Sequence, residues 1–477
     1  MKQIMNHNSY LSEYQSKLIS AEDAAGLVES GMSIHLGGAA NIATVIDKHL
    51  ARRKDELENV IVRSYIDTHT FEILKADPAG EVFKWYSGFV LPYTRPFANQ
   101  RGCGIYTPAS WHLVPDFVRD QYAFDILYFV TSAMNEAGYF NFGLTVADTL
   151  SVAEVAKKIV VVVREDMPCT FGGQEEGIHI SKVDYIVEDR EFKTFCLPDV
   201  PLKTEDRMIA ENILAAGLIQ DGTTLQVGIG GLPNAILDAL PDAGVKNCGL
   251  HTEIITENMI DLIQKGVVDN SRKKQDRYKS VCTFALGSQK LYEFLDKNPS
   301  FAFYPVDYVN HPGVIARQPK MLSLNSAMQI DLSGQVASEQ TCMINGNRVC
   351  GLRPRQISGT GGQLDFVLGT MLTEDGAGVS ILALYSQHND QSRIVPMLSE
   401  GTAVTVPRTI VDYVATEWGL VKLKGLSIDE RVMALTRIAH PAHRDDLMRQ
   451  AADIGFLPYG SAFMNSNLPR GVINCLN

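Results

Sequence analysis

The chain has no run of apolar residues near the roughly 18 that a membrane helix needs. Its longest, Ile159-Val160-Val161-Val162-Val163, has the length of a buried strand. The first twenty residues, with Asn6, His7, Asn8, Glu13 and Gln15, lack the apolar core of a signal peptide. The eight cysteines (103, 169, 196, 248, 282, 342, 350 and 475) form no CxxC pair. Cysteines dispersed in this way read as reduced thiols, so a cytoplasmic address is expected. Basic residues are the minority, and the formal charge of -12 argues against a general nucleic-acid or anionic-membrane partner.

Several catalytic signatures are missing as well. There is no GxSxG elbow, no HExxH, no GxGxxG dinucleotide fingerprint and no P-loop. His440-Pro441-Ala442-His443 has a metal-like spacing, but in a proline-bearing polar segment, and no metal is expected.

What is present is a repeat. AAGLVESGMSIHLGGAANIATVID (24–47) aligns without a gap to AAGLIQDGTTLQVGIGGLPNAILD (215–238). Each copy reads as helix, turn, strand, glycine loop, helix. With 477 residues, too many for one core, this predicts an α/β protein of two tandem, similar open-sheet halves, residues 1–200 and 201–477. The divider, 189–205, carries charges and Pro198 and Pro201. In the first half, strands are expected at 59–65, 126–131 and 159–163, a helix at 146–157 and a hairpin turn at 132–143. In the second, a helix at 205–216 leads to a strand at 225–227, the loop Gly228-Ile229-Gly230-Gly231 and a helix opening at Pro233. Further on come an apolar run at 248–252, a helix at 257–265 and a strand at 281–286. A helix at 288–298, a hairpin around Leu332-Ser333-Gly334, a strand at 379–384 and a helical tail at 427–454 complete the expectation.

The glycines at 228, 230 and 231 let backbone amides approach a ligand closely. A second glycine loop, ISGTGGQLDF (357–366), offers another set. Together they suit an oxyanion site, although either alone reads equally as a tight strand–helix turn. Glu253 ends the apolar run and would face these amides, since ligands gather at the carboxyl ends of strands in open α/β sheets. Read alone it is more often a solvated strand-end carboxylate or an N-terminal charge for the helix that follows. Glu257 is its rival, but an acid at a helix start has an ordinary electrostatic reason. His251, on the same strand face as Glu253, is either a polarising partner or a packed histidine.

The segments GIGGLPNAIL, HTEIITENMIDLIQKGVV, FALGSQKLYEFLDKNP, FYPVDYVNHPGVIA, LNSAMQIDLSGQV, SGTGGQLDF and AVTVPRTIVDYVATEWGLVKLKGLSIDER resemble the acetyl-CoA hydrolase/transferase family. The resemblance covers nearly the whole chain and is closest to 4-hydroxybutyrate and butyrate CoA-transferases. It implies that Glu253, in His251-Thr252-Glu253, is the nucleophile of a ping-pong CoA-transferase working through an acyl-glutamyl anhydride and a glutamyl-CoA thioester. It places Gly228, Ile229, Gly230, Gly231 and Leu232 against CoA, with Ser358, Gly361 and Gly362 near the oxyanion. Partners would be an acyl-CoA and a small carboxylate, with no cofactor beyond CoA, and a homo-oligomer is expected. An acyl-CoA hydrolase using the same site is the nearest alternative. A non-catalytic CoA-binding protein and a sugar-phosphate isomerase are more distant ones. The chain departs from its relatives at Glu257-Asn258, where an Asp-Gly pair is usual, and in a longer segment 341–354. Ser386-Gln387-His388-Asn389 stands where a lysine is common, and Met32 where a smaller or polar residue is. These departures bear on acyl-chain preference and CoA contacts. Tyr93, Arg95 and Asn99, in segment 86–107, are expected to form part of the acid pocket.

Overall fold

A computed structural model describes residues 7–100, 104–173, 175–198, 200–344, 347–348 and 354–457. Half of the longer segment expected at 341–354 lies outside the described residues. Two parallel sheets carry the chain. The first has seven strands, in spatial order Gly104–Tyr106, Phe83–Ser87, Val60–Tyr65, Ser33–Gly38, Phe124–Thr131, Ala156–Val163 and Tyr185–Glu188. The second has six: Gly249–Leu250, Thr224–Val227, Met321–Ser326, Val379–Ala383, Tyr413–Thr416 and Gly419–Lys422. Only its last pair is antiparallel. Central strands such as Ile159–Val163 are buried on both faces, which is why they read as continuous apolar runs. One core cluster contains residues of both sheets, and a second lies beneath the helices Ile428–Arg437 and Arg444–Asp453.

The repeat places equivalent strands, Ser33–Gly38 and Thr224–Val227, inside their respective sheets; the first ends on its glycine pair and the second runs into its glycine loop. The expected hairpin around residues 332–334 forms, pairing Gln329 with Ala337 and Ile330 with Val336. Asp331 accepts bonds from the Ser333 and Gln335 N–H groups and so closes its turn.

Three expectations need correction. The helix after the glycine loop opens at Gly231, not Pro233, because a first-turn proline sacrifices no intrahelical bond. The turn at 132–143 closes with Asn135 N–H on Tyr139 O, but its strand Tyr139–Asn141 pairs antiparallel with Gly177–His179. Residues 281–286 form two short strands, Ser280–Cys282 and Phe284–Ala285, paired to different partners. The break at Thr283 turns its N–H and that of Phe284 onto the Glu253 carbonyl.

One buried carboxylate organises the turn into Phe83–Ser87. Asp77 accepts backbone N–H bonds from Glu81 (3.0 Å), Val82 (2.7 Å) and Phe83 (2.9 Å). Burial opposes its ionisation, yet these donors outweigh it and hold the carboxyl below its usual range. Asp77→Ala should therefore lose about 1–3 kcal/mol of stability at neutral pH. A depressed carboxyl stabilises above its unfolded pKa and loses that effect as pH falls through the folded value. The gap between wild type and variant, read by urea denaturation, should narrow in acid.

Candidate active site

Glu253 lies at the bend between Gly249–Leu250 and Ile254–Ile255. Its backbone is gripped by the Thr283 and Phe284 amides, which aims the side chain into an open cleft of about 1150 Å³. The cleft is walled by Phe89 and Leu91 from the first half and by Ile254, Phe284, Leu286 and Met328 from the second. Gly228, Ile229, Ser358, Gly361 and Gly362 also line it. Both glycine loops and the glutamate thus converge.

The carboxylate Oε2 accepts a 2.8 Å bond from Asn310 Nδ2. A Cβ at Gly362 would overlap both atoms of this bond, so only glycine leaves room there. Gly361 has φ +53°, a conformation that favours glycine. Burial pushes the Glu253 carboxyl from 4.5 up to about 8; the Asn310 amide opposes that shift, the Asp365 charge adds to it and the Gly362 N–H opposes it. Asp365 is itself fully buried and held by His112 through Nδ1 (2.8 Å) and backbone N–H (3.2 Å).

Not every expected residue lines the cleft. Gly231 and Leu232 begin the helix behind the loop: a Cβ at Gly231 would run into Asp206, and Leu232 is a core residue. Gly230, at φ +122°, is the hinge between loop and helix. Glu257 faces Lys290 on the first turn of its helix, away from the cleft-lining set. His251 does not polarise Glu253. Its ring is buried, Nε2 lies 2.8 Å from Val309 O and Nδ1 3.3 Å from Gln318 Nε2. Burial, with the Lys273 charge, pushes it down to about 3, so the neutral ring donates from Nε2 to the carbonyl. That bond fixes the residue before Asn310.

Arg95 and Asn99 are also displaced from their expected role. Arg95 Nε donates to Ile357 O (2.8 Å), and Asn99 exchanges bonds with the Gln356 backbone (2.8 Å each). They hold the second glycine loop instead of an acid, because that loop's backbone groups need partners across the halves. Tyr93 packs edge-on against Phe195. His440 and His443 bond the Ala442 N–H and Gln387 respectively. No cluster of metal-ligating side chains occurs among the described residues. Nor is any helix among them long and apolar enough to cross a membrane.

Asn310 was missed from its residue type. Its segment VNHPG (309–313) carried the signal, but the bond to Glu253 spans 57 positions. Tyr106, Glu339 and Thr360 were missed too. Tyr106 donates to Glu339 Oε2 (2.7 Å) and accepts from the Thr360 N–H (3.1 Å), so a first-half residue clamps the second glycine loop.

Models of the acetyl-CoA hydrolase/transferase family match this chain twice, the N-terminal domain at residues 1–198 and the C-terminal domain at 287–451. Glu253 and the 228–232 loop fall between the two matches. A probable butyrate:acetyl-CoA coenzyme A-transferase of Syntrophomonas wolfei is 36% identical over 93% of this chain and 97% of its own. A 4-hydroxybutyrate coenzyme A transferase of Clostridium kluyveri is 36% identical over 92% and 97%. The crystal structure of RipA from Yersinia pestis superposes with a TM-score of 0.83 at 32% identity, covering 94% of this chain and all of that one.

The Glu253 environment makes a prediction of its own. A carboxyl raised by folding binds its proton more tightly in the folded state. Folding is then unpenalised below the unfolded pKa near 4.5 and progressively penalised as pH rises to about 8. Glu253→Gln should unfold at a higher temperature than wild type, by a margin that grows between pH 5 and 8 in thermal scans.

Proposed function

The chain belongs to the acetyl-CoA hydrolase/transferase family and is a CoA-transferase, and from that premise we propose how it works and on what. Glu253 is the nucleophile. Its carboxylate attacks the acyl-CoA carbonyl carbon; the new C–O bond gives an acyl-glutamyl anhydride, and the C–S bond breaks to release CoA thiolate. The thiolate attacks the glutamyl carbonyl, the acid leaves, and Glu253 carries CoA as a thioester. An acceptor carboxylate then reverses the sequence.

The observation that carries this reading is the pairing of Glu253 Oε2 with Asn310 Nδ2 at 2.8 Å beside Gly362. When the thiolate adds to the glutamyl carbonyl, negative charge develops on the oxygen these donors already address. Donors so placed contribute about 3–4 kcal/mol each in comparable transition states. The cleft-facing backbone of Gly228, Ile229 and Gly361 is the corresponding surface for the oxyanion on the acyl carbon. A carboxylate with a pKa near 8 is a stronger base than a solvated one, and binding of the remote parts of CoA offsets its desolvation.

The apolar walls Phe89, Leu91, Phe284 and Leu286 favour transfer over hydrolysis, since both covalent intermediates need water kept away. The substrates are a short-chain acyl-CoA and a small carboxylic acid of the butyrate, 4-hydroxybutyrate or acetate type, dicarboxylates such as succinate or itaconate included. Gly230, Gly231 and Leu232 support the CoA-contacting loop from behind. We further read the protein as a cytoplasmic homo-oligomer of halves 1–200 and 201–477, needing no cofactor besides CoA.

Incubation with acetyl-CoA alone, borohydride reduction and peptide mapping should modify the peptide holding Glu253. Label elsewhere, or none, sinks the mechanism. Glu253→Ala should lower transfer at least about a thousandfold, and acceptor-dependent loss of acetyl-CoA should exceed the loss to water.

A further inference from the structure

The mechanism above leaves the buried carboxylate of Glu339 without a task. Glu339 stands just ahead of the short strand Gln340–Thr341, which pairs antiparallel with Arg355–Gln356. Beyond Gln356 that ladder ends and the chain becomes the second glycine loop, and Glu339 holds it there. Its carbonyl accepts the Ile357 N–H at 2.8 Å and the Ser358 N–H at 3.0 Å. Its carboxylate reaches further along the loop, where Oε2 accepts the Thr360 hydroxyl at 2.6 Å and the Tyr106 hydroxyl at 2.7 Å. The Tyr106 oxygen in turn accepts the Thr360 N–H at 3.1 Å.

Thr360 is the handle of the loop. Residues 359, 361 and 362 are glycines, with no side chain to fix them and a wide backbone freedom. The one side chain among them carries the position of the loop, and its hydroxyl and N–H are both taken by the Glu339–Tyr106 pair. That position bears directly on the nucleophile. A Cβ on Gly361 would stand 3.7 Å from Glu253 Oε1, and one on Gly362 would overlap Oε2. The loop backbone therefore lies against both carboxylate oxygens, and the Gly362 N–H favours the ionised form of Glu253. A misplacement of about 1 Å among groups so close to the chemistry can cost about a hundredfold in rate.

We propose that Glu339 is a positioning residue for CoA transfer, whose carboxylate and carbonyl, with Tyr106 of the first half, fix the second glycine loop against Glu253. Glu339 is not among the described residues lining the cleft, so it acts through the loop and not on the substrate. Its part is that of an acceptor, because both groups on Oε2 are hydroxyl donors. This rests on the CoA-transfer reading and adds a condition to it: the loop donors are in place only where the two halves meet at Tyr106 and Glu339.

Glu339→Ala removes the acceptor, and Thr360→Val removes one donor while keeping the β-branched shape. Glu339→Ala should lower kcat about a hundredfold, with KM for acetyl-CoA within about threefold of wild type. Loss of the Gly362 donor disfavours the Glu253 carboxylate, so the acidic limb of the kcat/KM profile should move to higher pH. A residue that only held the fold would lower the melting temperature and leave that limb in place. Glu339→Gln keeps an oxygen able to accept both hydroxyls and should bring kcat back to within about tenfold of wild type. Thr360→Val should cost about tenfold alone and little in the Glu339→Ala background, since both remove the same contact. An unchanged kcat or unmoved limb in folded Glu339→Ala, losses that simply multiply, or a Glu339→Gln as inactive as Glu339→Ala overturns the positioning role. Borohydride-trapped Glu253 in wild type would leave CoA transfer standing in each of those cases, and its absence would overturn both readings.

Discussion

A carboxylate held out of water beside a backbone that has no side chain is the constraint on which the rest of the structure turns. Glu253 is half-buried in an apolar cleft, and its charge is met by one amide side chain and one glycine N–H. Two donors do not replace a full hydration shell, so the carboxyl rises to about 8. The folded protein keeps a group that destabilises it near neutral pH. Such a strain is tolerated where it supplies reactivity, and for a carboxylate it supplies a basicity that the solvated group lacks.

Holding that arrangement needs support from both sheets. The second glycine loop must stay within hydrogen-bond range of Glu253, yet its glycines give it little stiffness of its own. Stiffness comes from outside. Arg95 and Asn99 bond the backbone at 356 and 357, Tyr106 holds Thr360, and His112 holds Asp365 on the helix that follows. All four belong to the first half. On the other side, His251 ties down Val309 and so sets Asn310. The two halves therefore share one site, with Glu253 in one and much of its scaffold in the other.

The legible part of the fold was the part set by local pattern. Glycine loops, buried strand runs and the 329–337 hairpin each follow from neighbouring residues, so their positions were readable. Glu253 stood out because a carboxylate closing an apolar run asks for a partner. What escaped depended on distant segments. Asn310 reaches Glu253 from 57 positions away. Arg95 reads as an anion-binding residue by its chemistry, but its Nε is taken by a carbonyl 262 positions away. Residue type named the chemistry available, and long-range packing decided which groups remained free to use it.

The two copies of the repeat differ in what their glycine loops leave open. Gly37 and Gly228 are equivalent positions, but their loops differ. A Cβ on Gly37 would strike the Asn41 carbonyl, so the first loop folds back on itself. Asn41, which aligns with Leu232, then anchors the loop to the Val130 and Phe142 carbonyls. Gly228 has open space where a Cβ would stand and lacks the positive φ of Gly37, while the position two residues on is positive in both copies, Ala39 at +50° and Gly230 at +122°. The second loop is thus left with a face toward the cleft that nothing among the described residues fills. In the first copy the same strand delivers His35 and Gly37 to a small internal cavity. A duplicated turn gave two outcomes because one copy is tied into the fold by Asn41 and the other leaves a face on the cleft.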